Sequence, residues 1–298
     1  MNNANYKMNK EKIAQHFGAE FLDKLQAILE KYSSLWQLSN IEQIDYYSVN
    51  CIFACTSVKY GACILKVSQC AKNMASEYNA LKDFSGSAIC KVYQANIDDG
   101  VMLIEQITPG TQLRNETDLD TRLDVFCGIF SNLHTIPSDM TKYQTYMDWV
   151  SHVAEYMRSP ADFNDFSEKM TKAESICRVL WQKYPAQMLL HGDLHHDNII
   201  LGEQSYLAID PKGVVGNPIF DIPRFMLNED DMDKNGKFDY IVRTLSKNLG
   251  ISEQDIRSLY YIETCMENCW NIENGGEVCW EDVLFAESVV SGLDSYHL

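Results

Sequence analysis

The stretch MLLHGDLHHDNIILGEQSYLAIDPKG, residues 188–213, is where this chain declares its chemistry. Three short apolar runs, Met188–Leu190, Ile199–Leu201 and 206–209, predict strands, and they leave two loops between them. The first loop, 191–198, offers Asp193 and, five positions on, Asn198. The second opens with Asp210, carried on the end of a strand. Transfer of a phosphoryl group to an alcohol needs this set. It takes one carboxylate beside the attacking hydroxyl and two oxygen-bearing side chains to hold Mg²⁺ against a triphosphate. A metallohydrolase built on His191, Asp193, His195 and His196 is the competing reading. Against it, the zinc-helix spacing His-Glu-x-x-His is absent and these residues sit in a turn.

Upstream, Ile13, Phe17, Phe21, Leu22, Leu25, Ile28 and Leu29 recur at three- and four-residue spacing, which predicts an amphipathic helix over 9–38. Strands are expected at 46–49, 52–58 and 62–67, with Tyr60-Gly61 turning between the last two. A helix over 72–84 follows, then a strand pair, 90–95 and Val101–Glu105, across Asp98-Asp99-Gly100. Thr108-Pro109-Gly110 breaks the pattern and marks a boundary. Downstream the chain is mostly helical, over 119–136, 163–183 and from about 222 onward. A chain of 298 residues is at the upper edge of a single core. The expected fold class is therefore α+β in two lobes, a small mixed-β lobe over 1–105 and a larger, mostly α-helical lobe over 106–298.

The pattern His-x-Asp-Leu-x-x-x-Asn followed by a strand-borne Asp matches the catalytic and metal loops of the protein-kinase fold. That fold also needs a strand lysine for the phosphates and a helical glutamate to pair with it. Lys66 stands among apolar neighbours in Ala62-Cys63-Ile64-Leu65-Lys66-Val67, and Glu77 follows on the next helix. Glu42 and Glu105 are the other available partners.

The residues LLHGDLHHDNIIL and AIDPKGVVGNPIFDIPRF resemble the aminoglycoside phosphotransferase family of small-molecule kinases, in particular its streptomycin- and hydroxyurea-type branch. The likeness is strongest over 188–226 and extends more weakly from about residue 46 to the last helices. It implies ATP, or GTP, as phosphate donor and Mg²⁺ as cofactor. By resemblance Asp193 is the catalytic base, Asn198 and Asp210 hold the metal, His191 braces the loop, and Asp221 caps the next helix and ties it to the loop. His195 would support the loop, and Lys212 would neutralise a phosphate or a neighbouring carboxylate. In place of a glycine-rich loop stands Ser48-Val49-Asn50-Cys51-Ile52-Phe53, whose Ser48 and Asn50 would approach the nucleotide. Main-chain groups near Glu105 and Ile107 would meet the purine.

Ten residues, 211–220, separate Asp210 from Asp221, too few for a protein-substrate activation segment, so a small acceptor is expected. Charge adds to this. The net charge is −17, with 10 Lys and 11 acids in residues 1–105 but 15 bases and 31 acids in 106–298. Nucleic acid and anionic membrane surfaces are disfavoured as partners. Glu263, Glu267 and Trp270, with nearby acids and Trp280, suit a cationic or guanidinylated amino-sugar through charge pairing and cation–π contact. The 10 Cys are scattered with no CxxC, which fits free thiols in a reducing cytosol. The N-terminal residues hold no apolar run that reads as a signal peptide, so a cytoplasmic monomer or weak dimer is expected. Two alternatives stay open: a metabolic kinase of choline, a sugar or an amino-acid alcohol, and a nucleotide-binding pseudokinase sensor.

Overall fold

The helical periodicity at the N-terminus breaks at Gly18, whose φ of +93° and ψ of 157° lie outside the helical region. One expected helix is thus two, α1 (Lys10–Phe17), capped by the Asn9 side chain, and α2 (Ala19–Leu35). In this computed structural model, residues 6–44, 49–84, 88–158, 164–290 are described. The residues at 36–38, expected to prolong the helix, leave it instead, and Leu38 opens strand β1 (Leu38–Gln43). The strand expected over 46–49 falls largely outside the described residues.

β2 (Asn50–Ser57) and β3 (Gly61–Ser68) form the expected hairpin, followed by α3 (Ala71–Phe84), β4 (Val92–Asn96) and β5 (Val101–Glu105). Among the described residues the sheet runs β1-β2-β3-β5-β4, antiparallel throughout. Side chains alternate across a strand, and here the alternation assigns roles. Cys51, Phe53, Cys55, Cys63, Leu65 and Val67 face one side and pack with Ile13, Leu25, Ile28, Leu29 and Tyr32 of α1 and α2. Ile64, Met102 and Ile104 face the other side and join a core that includes Met74, Ala80 and Leu81 of α3. Lys66 has the parity of Ile64, so its side chain belongs to the α3 face.

Beyond β5 come β6 (Thr111–Gln112), α4 (Leu119–Leu133), α5 (Tyr146–Arg158) and α6 (Asn164–Lys183). The short strands β7 (Met188–Leu190), β8 (Ile199–Leu201), β9 (Tyr206–Ala208) and β10 (Val214–Gly216) follow, then α7 (Ile222–Leu227), α8 (Lys237–Leu249), α9 (Glu253–Glu273) and α10 (Trp280–Val290). β7 pairs with β10, and β8 pairs with β6 and β9. These small ribbons anchor both ends of 191–198 and of 209–213. This is the bilobal kinase-like architecture, a β-rich N-terminal lobe and a helical C-terminal lobe. We propose 105/106, the end of β5, as the lobe boundary.

Candidate active site

Lys66 is 2% exposed, and its ammonium lies 2.6 Å from Glu77 Oε1. It also pairs with Asp210. Burial alone would pull the ammonium down, but the carboxylates of Asp210 and Glu77 outweigh it and hold Lys66 above its ordinary value. Burial pushes Glu77 up, opposed by Lys66. The other glutamates are engaged elsewhere, Glu42 with Lys7 at 3.5 Å and Glu105 with Lys91 at 3.4 Å. Lys66, Glu77 and Asp210 thus meet from β3, α3 and the loop after β9.

The catalytic-type loop is built around His191. Its ring is fully buried, donates from Nε2 to the Ile209 carbonyl at 2.8 Å and accepts at Nδ1 from the Asp193 N–H at 3.2 Å. Burial keeps this imidazole's pKa low, in accord with a neutral ring that donates at one nitrogen and accepts at the other. Asp221 was expected to cap α7 and tie it to the loop; its side chain makes no capping bond but does reach the loop. Its two oxygens accept instead from the N–H groups of His191 and Gly192, both at 2.8 Å, and from His134 Nε2 at 2.9 Å. These contacts outweigh burial and hold the carboxyl low. His134, at the end of α4 and 87 residues from Asp221, carries no signal in the sequence. Asp221→Ala would strand three donors, one buried and two partly buried, and we expect it to lower unfolding stability by about 3 kcal/mol. Urea titration checks this, and a loss below about 1 kcal/mol would refute the bracing role.

Asp193 stands beside two cations and an imidazole. Its Oδ2 is 3.5 Å from Lys212 Nζ, and its Oδ1 is 3.6 Å from His195 Nε2 and 3.7 Å from Arg224 Nε. Burial would raise this carboxyl, but Lys212, His195 and Arg224 outweigh burial and hold it low, so it is ionised at neutral pH. His195 accepts from the Asp197 N–H at 3.3 Å and closes the turn 196–198. Asn198 donates its amide N–H to the Asp193 carbonyl at 2.9 Å, which leaves its amide oxygen as the group it can offer to a cation.

Asp210 adopts a left-handed φ of +61° directly before Pro211. The Lys212 N–H donates to the His191 carbonyl at 2.8 Å, and the Lys212 carbonyl accepts from the Ser76 hydroxyl of α3 at 2.6 Å. At Gly213, φ +70°, an added Cβ would come 3.0 Å from Ala80 Cβ and 3.2 Å from Tyr143 Cε1. α3, which bears Glu77, therefore seats directly on the loop that bears Asp210.

A cavity of about 660 Å³ is lined by Asn50, Lys72, Glu77, Asp193, Asn198, Asp210 and Lys212, together with Lys142, Tyr143, Gln144 and Trp149. Asn50 Oδ1 is buried without a hydrogen-bond partner. Ser48 lies outside the described residues. Glu105 and Ile107 are at the end of β5 and just past it, away from this cavity's lining, and the Glu105 N–H is engaged by the Lys91 carbonyl at 2.8 Å. Among the described residues no group of three His, Cys, Asp or Glu side chains is disposed to hold a metal unaided. Asn198 and Asp210 are a two-ligand oxygen set on one wall. That fits Mg²⁺, which prefers one or two protein oxygens plus phosphate oxygens and water.

Two of the three residues expected to bind an acceptor are engaged within the protein. Glu263 is 3% exposed and already pairs with Arg224 Nη2 at 2.6 Å and the Tyr146 hydroxyl at 2.8 Å. Trp270 packs its ring 4.6 Å from the Arg224 guanidinium. Glu267 is the exposed member of the three. The sequence hinted at Arg224 only through its position as a lone charge in Ile222-Pro223-Arg224-Phe225-Met226. Nothing in the sequence singled out Lys142 or Trp149.

Residues 40–275 match the family described as aminoglycoside/hydroxyurea antibiotic resistance kinase. Streptomycin 6-kinase of Streptomyces griseus is 21% identical over 269 residues, covering 87% of this chain and 86% of that protein. Hydroxyurea phosphotransferase of Kitasatospora aureofaciens is 23% identical over 266 residues, covering 87% and 76%. Among solved structures, choline kinase LicA of Streptococcus pneumoniae superposes with a TM-score of 0.64 at 17% identity, over 91% of this chain and 99% of that one. LicA has also been solved with AMP bound. The likeness to LicA speaks for the fold alone. The family match spans most of the chain and includes every residue of the cavity named above. The chain is a small-molecule phosphotransferase and belongs to the aminoglycoside/hydroxyurea antibiotic resistance kinase family.

Proposed function

We propose that this protein, acting in the cytosol, transfers the γ-phosphate of ATP to a hydroxyl of a small molecule, with an aminoglycoside of the streptomycin type as the leading acceptor. The observation that carries this reading is the meeting of Asp193, Asn198, Asp210 and Glu77 at one cavity, with the buried Lys66 paired to both Glu77 and Asp210. Asp193, ionised by its surrounding cations, is the carboxylate to receive the acceptor's hydroxyl proton. Lys66 is the fixed cation for the donor's phosphates, held by Glu77. Lys212, half-exposed and 3.5 Å from Asp193, is free enough to follow charge as it moves from hydroxyl to phosphoryl group. Asn198 and Asp210 would hold Mg²⁺, which when bound neutralises the phosphate charge. Asn50, with its buried unpaired oxygen, and the main chain near Glu105 and Ile107 are the remaining nucleotide contacts we assign.

A neutral hydroxylated acceptor, as in the hydroxyurea-type relative, is the second reading. Its support is the cavity wall, where Lys72, Lys142 and Lys212 balance the acids that a polycation would need, while Glu263 is neutralised internally.

A coupled ADP-release screen over aminoglycosides, choline, sugars and hydroxyurea tests both, with Asp193→Ala as the blank. An acceptor KM that climbs steeply with salt supports a cationic acceptor, and turnover confined to neutral acceptors removes it. We expect Asp210→Ala to lower Mg²⁺-dependent turnover by at least about 10²-fold. Undiminished turnover in that variant sinks the metal assignment.

A further inference from the structure

Arg224 stands beside Asp193, and the phosphoryl-transfer scheme above uses only its charge. Its guanidinium is fixed by a carboxylate and by an aromatic face. Nη2 pairs with Glu263 Oε1 at 2.6 Å. The other Glu263 oxygen accepts from the Tyr146 hydroxyl at 2.8 Å, and the Tyr146 ring stacks on Phe220 at 4.4 Å. The guanidinium lies 4.6 Å from the Trp270 ring centre. These contacts set both its position and its plane.

The Nε donor is the informative one. Arg224 Nε is buried and has no hydrogen-bond partner. The nearby acceptor is Asp193 Oδ1 at 3.7 Å. A shift of ~0.8 Å would bring this donor to ordinary hydrogen-bonding distance of the carboxylate. A buried donor left without a partner is costly, so its persistence calls for a use. Two cations straddle Asp193. Lys212, 52% exposed, approaches Oδ2, while the buried Arg224 approaches Oδ1. Only the buried one is rigid enough to orient the carboxylate.

We infer that Arg224 is a positioning residue for Asp193, and that Glu263, Tyr146 and Trp270 form the seat of Arg224 rather than an acceptor surface. An aromatic face beside a carboxylate is what a guanidinium on an acceptor would require. Arg224 already fills that seat from within the protein. The acceptor is left with the wall of Lys142, Gln144 and Trp149 on the open cavity. The inference rests on the reading of Asp193 as the group that receives the hydroxyl.

Steady-state kinetics on the whole chain, with a thermal melt and nucleotide binding as folding controls, test it. Arg224→Met should lower kcat at least about 10-fold while the KM for nucleotide stays within about 2-fold. Arg224→Lys should recover little, because an ammonium cannot hold Glu263 and point a second donor at Asp193. Glu263→Gln and Tyr146→Phe should lower kcat and leave the acceptor KM unchanged, and they carry the test should Arg224→Met fail to fold. An unchanged kcat in folded Arg224→Met overturns the positioning role. A Glu263→Gln variant with intact kcat and a raised acceptor KM overturns the seat and puts Glu263 in the acceptor site. A wild type no faster than Asp193→Ala overturns the phosphotransfer reading itself, and the role of Arg224 falls with it.

Discussion

Asp193→Ala is expected to lower kcat by about 10³-fold, the middle of the range that a well-placed general base contributes. The carboxylate is flanked by Lys212, His195 and Arg224, which keep it ionised and able to take a proton. Its main-chain carbonyl is held by the Asn198 amide at 2.9 Å, and its N–H by His191 at 3.2 Å. The loop is thus fixed without the side chain, so the variant should fold and bind nucleotide within about 3-fold of wild type. Asp193→Asn separates two roles. An amide can still hydrogen-bond an acceptor hydroxyl but cannot receive its proton. Pre-steady-state phosphate transfer should therefore be nearly as slow in the Asn variant as in the Ala variant. An Asn variant within 10-fold of wild type would reduce Asp193 to an orienting group.

Lys66→Met should affect both turnover and stability. The side chain is 2% exposed and faces Glu77 and Asp210 together. Removing the ammonium leaves two carboxylates around a buried, uncompensated site. Breaking such a pair from one side costs about 3–5 kcal/mol, mostly the desolvation of the partner left behind. Urea unfolding checks this, and the double variant Lys66→Met/Glu77→Gln should recover part of the loss because it removes one stranded charge. For turnover, loss of a fixed cation aimed at phosphate charge should lower kcat/KM by about 10²–10³-fold. The double variant should not recover it. Equal stability of wild type and Lys66→Met would mean that the pair contributes nothing to the fold, and full turnover would remove Lys66 from the phosphate site.

Several of these features were legible in the sequence for local reasons. The apolar run Ile64, Leu65 and Val67 around Lys66 placed the lysine on a strand, and the packing of Ile64 against α3 then showed which face it takes. The runs Met188–Leu190 and Ile199–Leu201 framed the loop that carries Asp193 and Asn198, because short apolar segments beside polar turns form ribbons. The N-terminal helix was misjudged in extent. Apolar spacing continues through Gly18 and past Leu35, yet the glycine takes a non-helical φ and Leu38 pairs with Ser57 in the sheet. Periodicity reports which residues want burial, and a sheet edge satisfies that as well as a helix does.

The acceptor residues show the limit more sharply. Glu263, Glu267 and Trp270 share a stretch whose composition suited a cationic ligand. The fold supplies its own cation, Arg224, to two of them. Asp221 likewise looked like a helix cap, and its carboxylate turns instead to the His191 and Gly192 amides and to His134. By itself the sequence determined the chemistry of the loops and the strand on which Lys66 stands, since both follow from spacing along a few residues. Only the tertiary structure decided which buried charges neutralise one another. Lys66 meets Asp210 across 144 residues, and Arg224 of α7 meets Glu263 of α9. Such pairs are set by how helices and loops pack, because a buried charge takes whichever opposite charge the packing brings within reach.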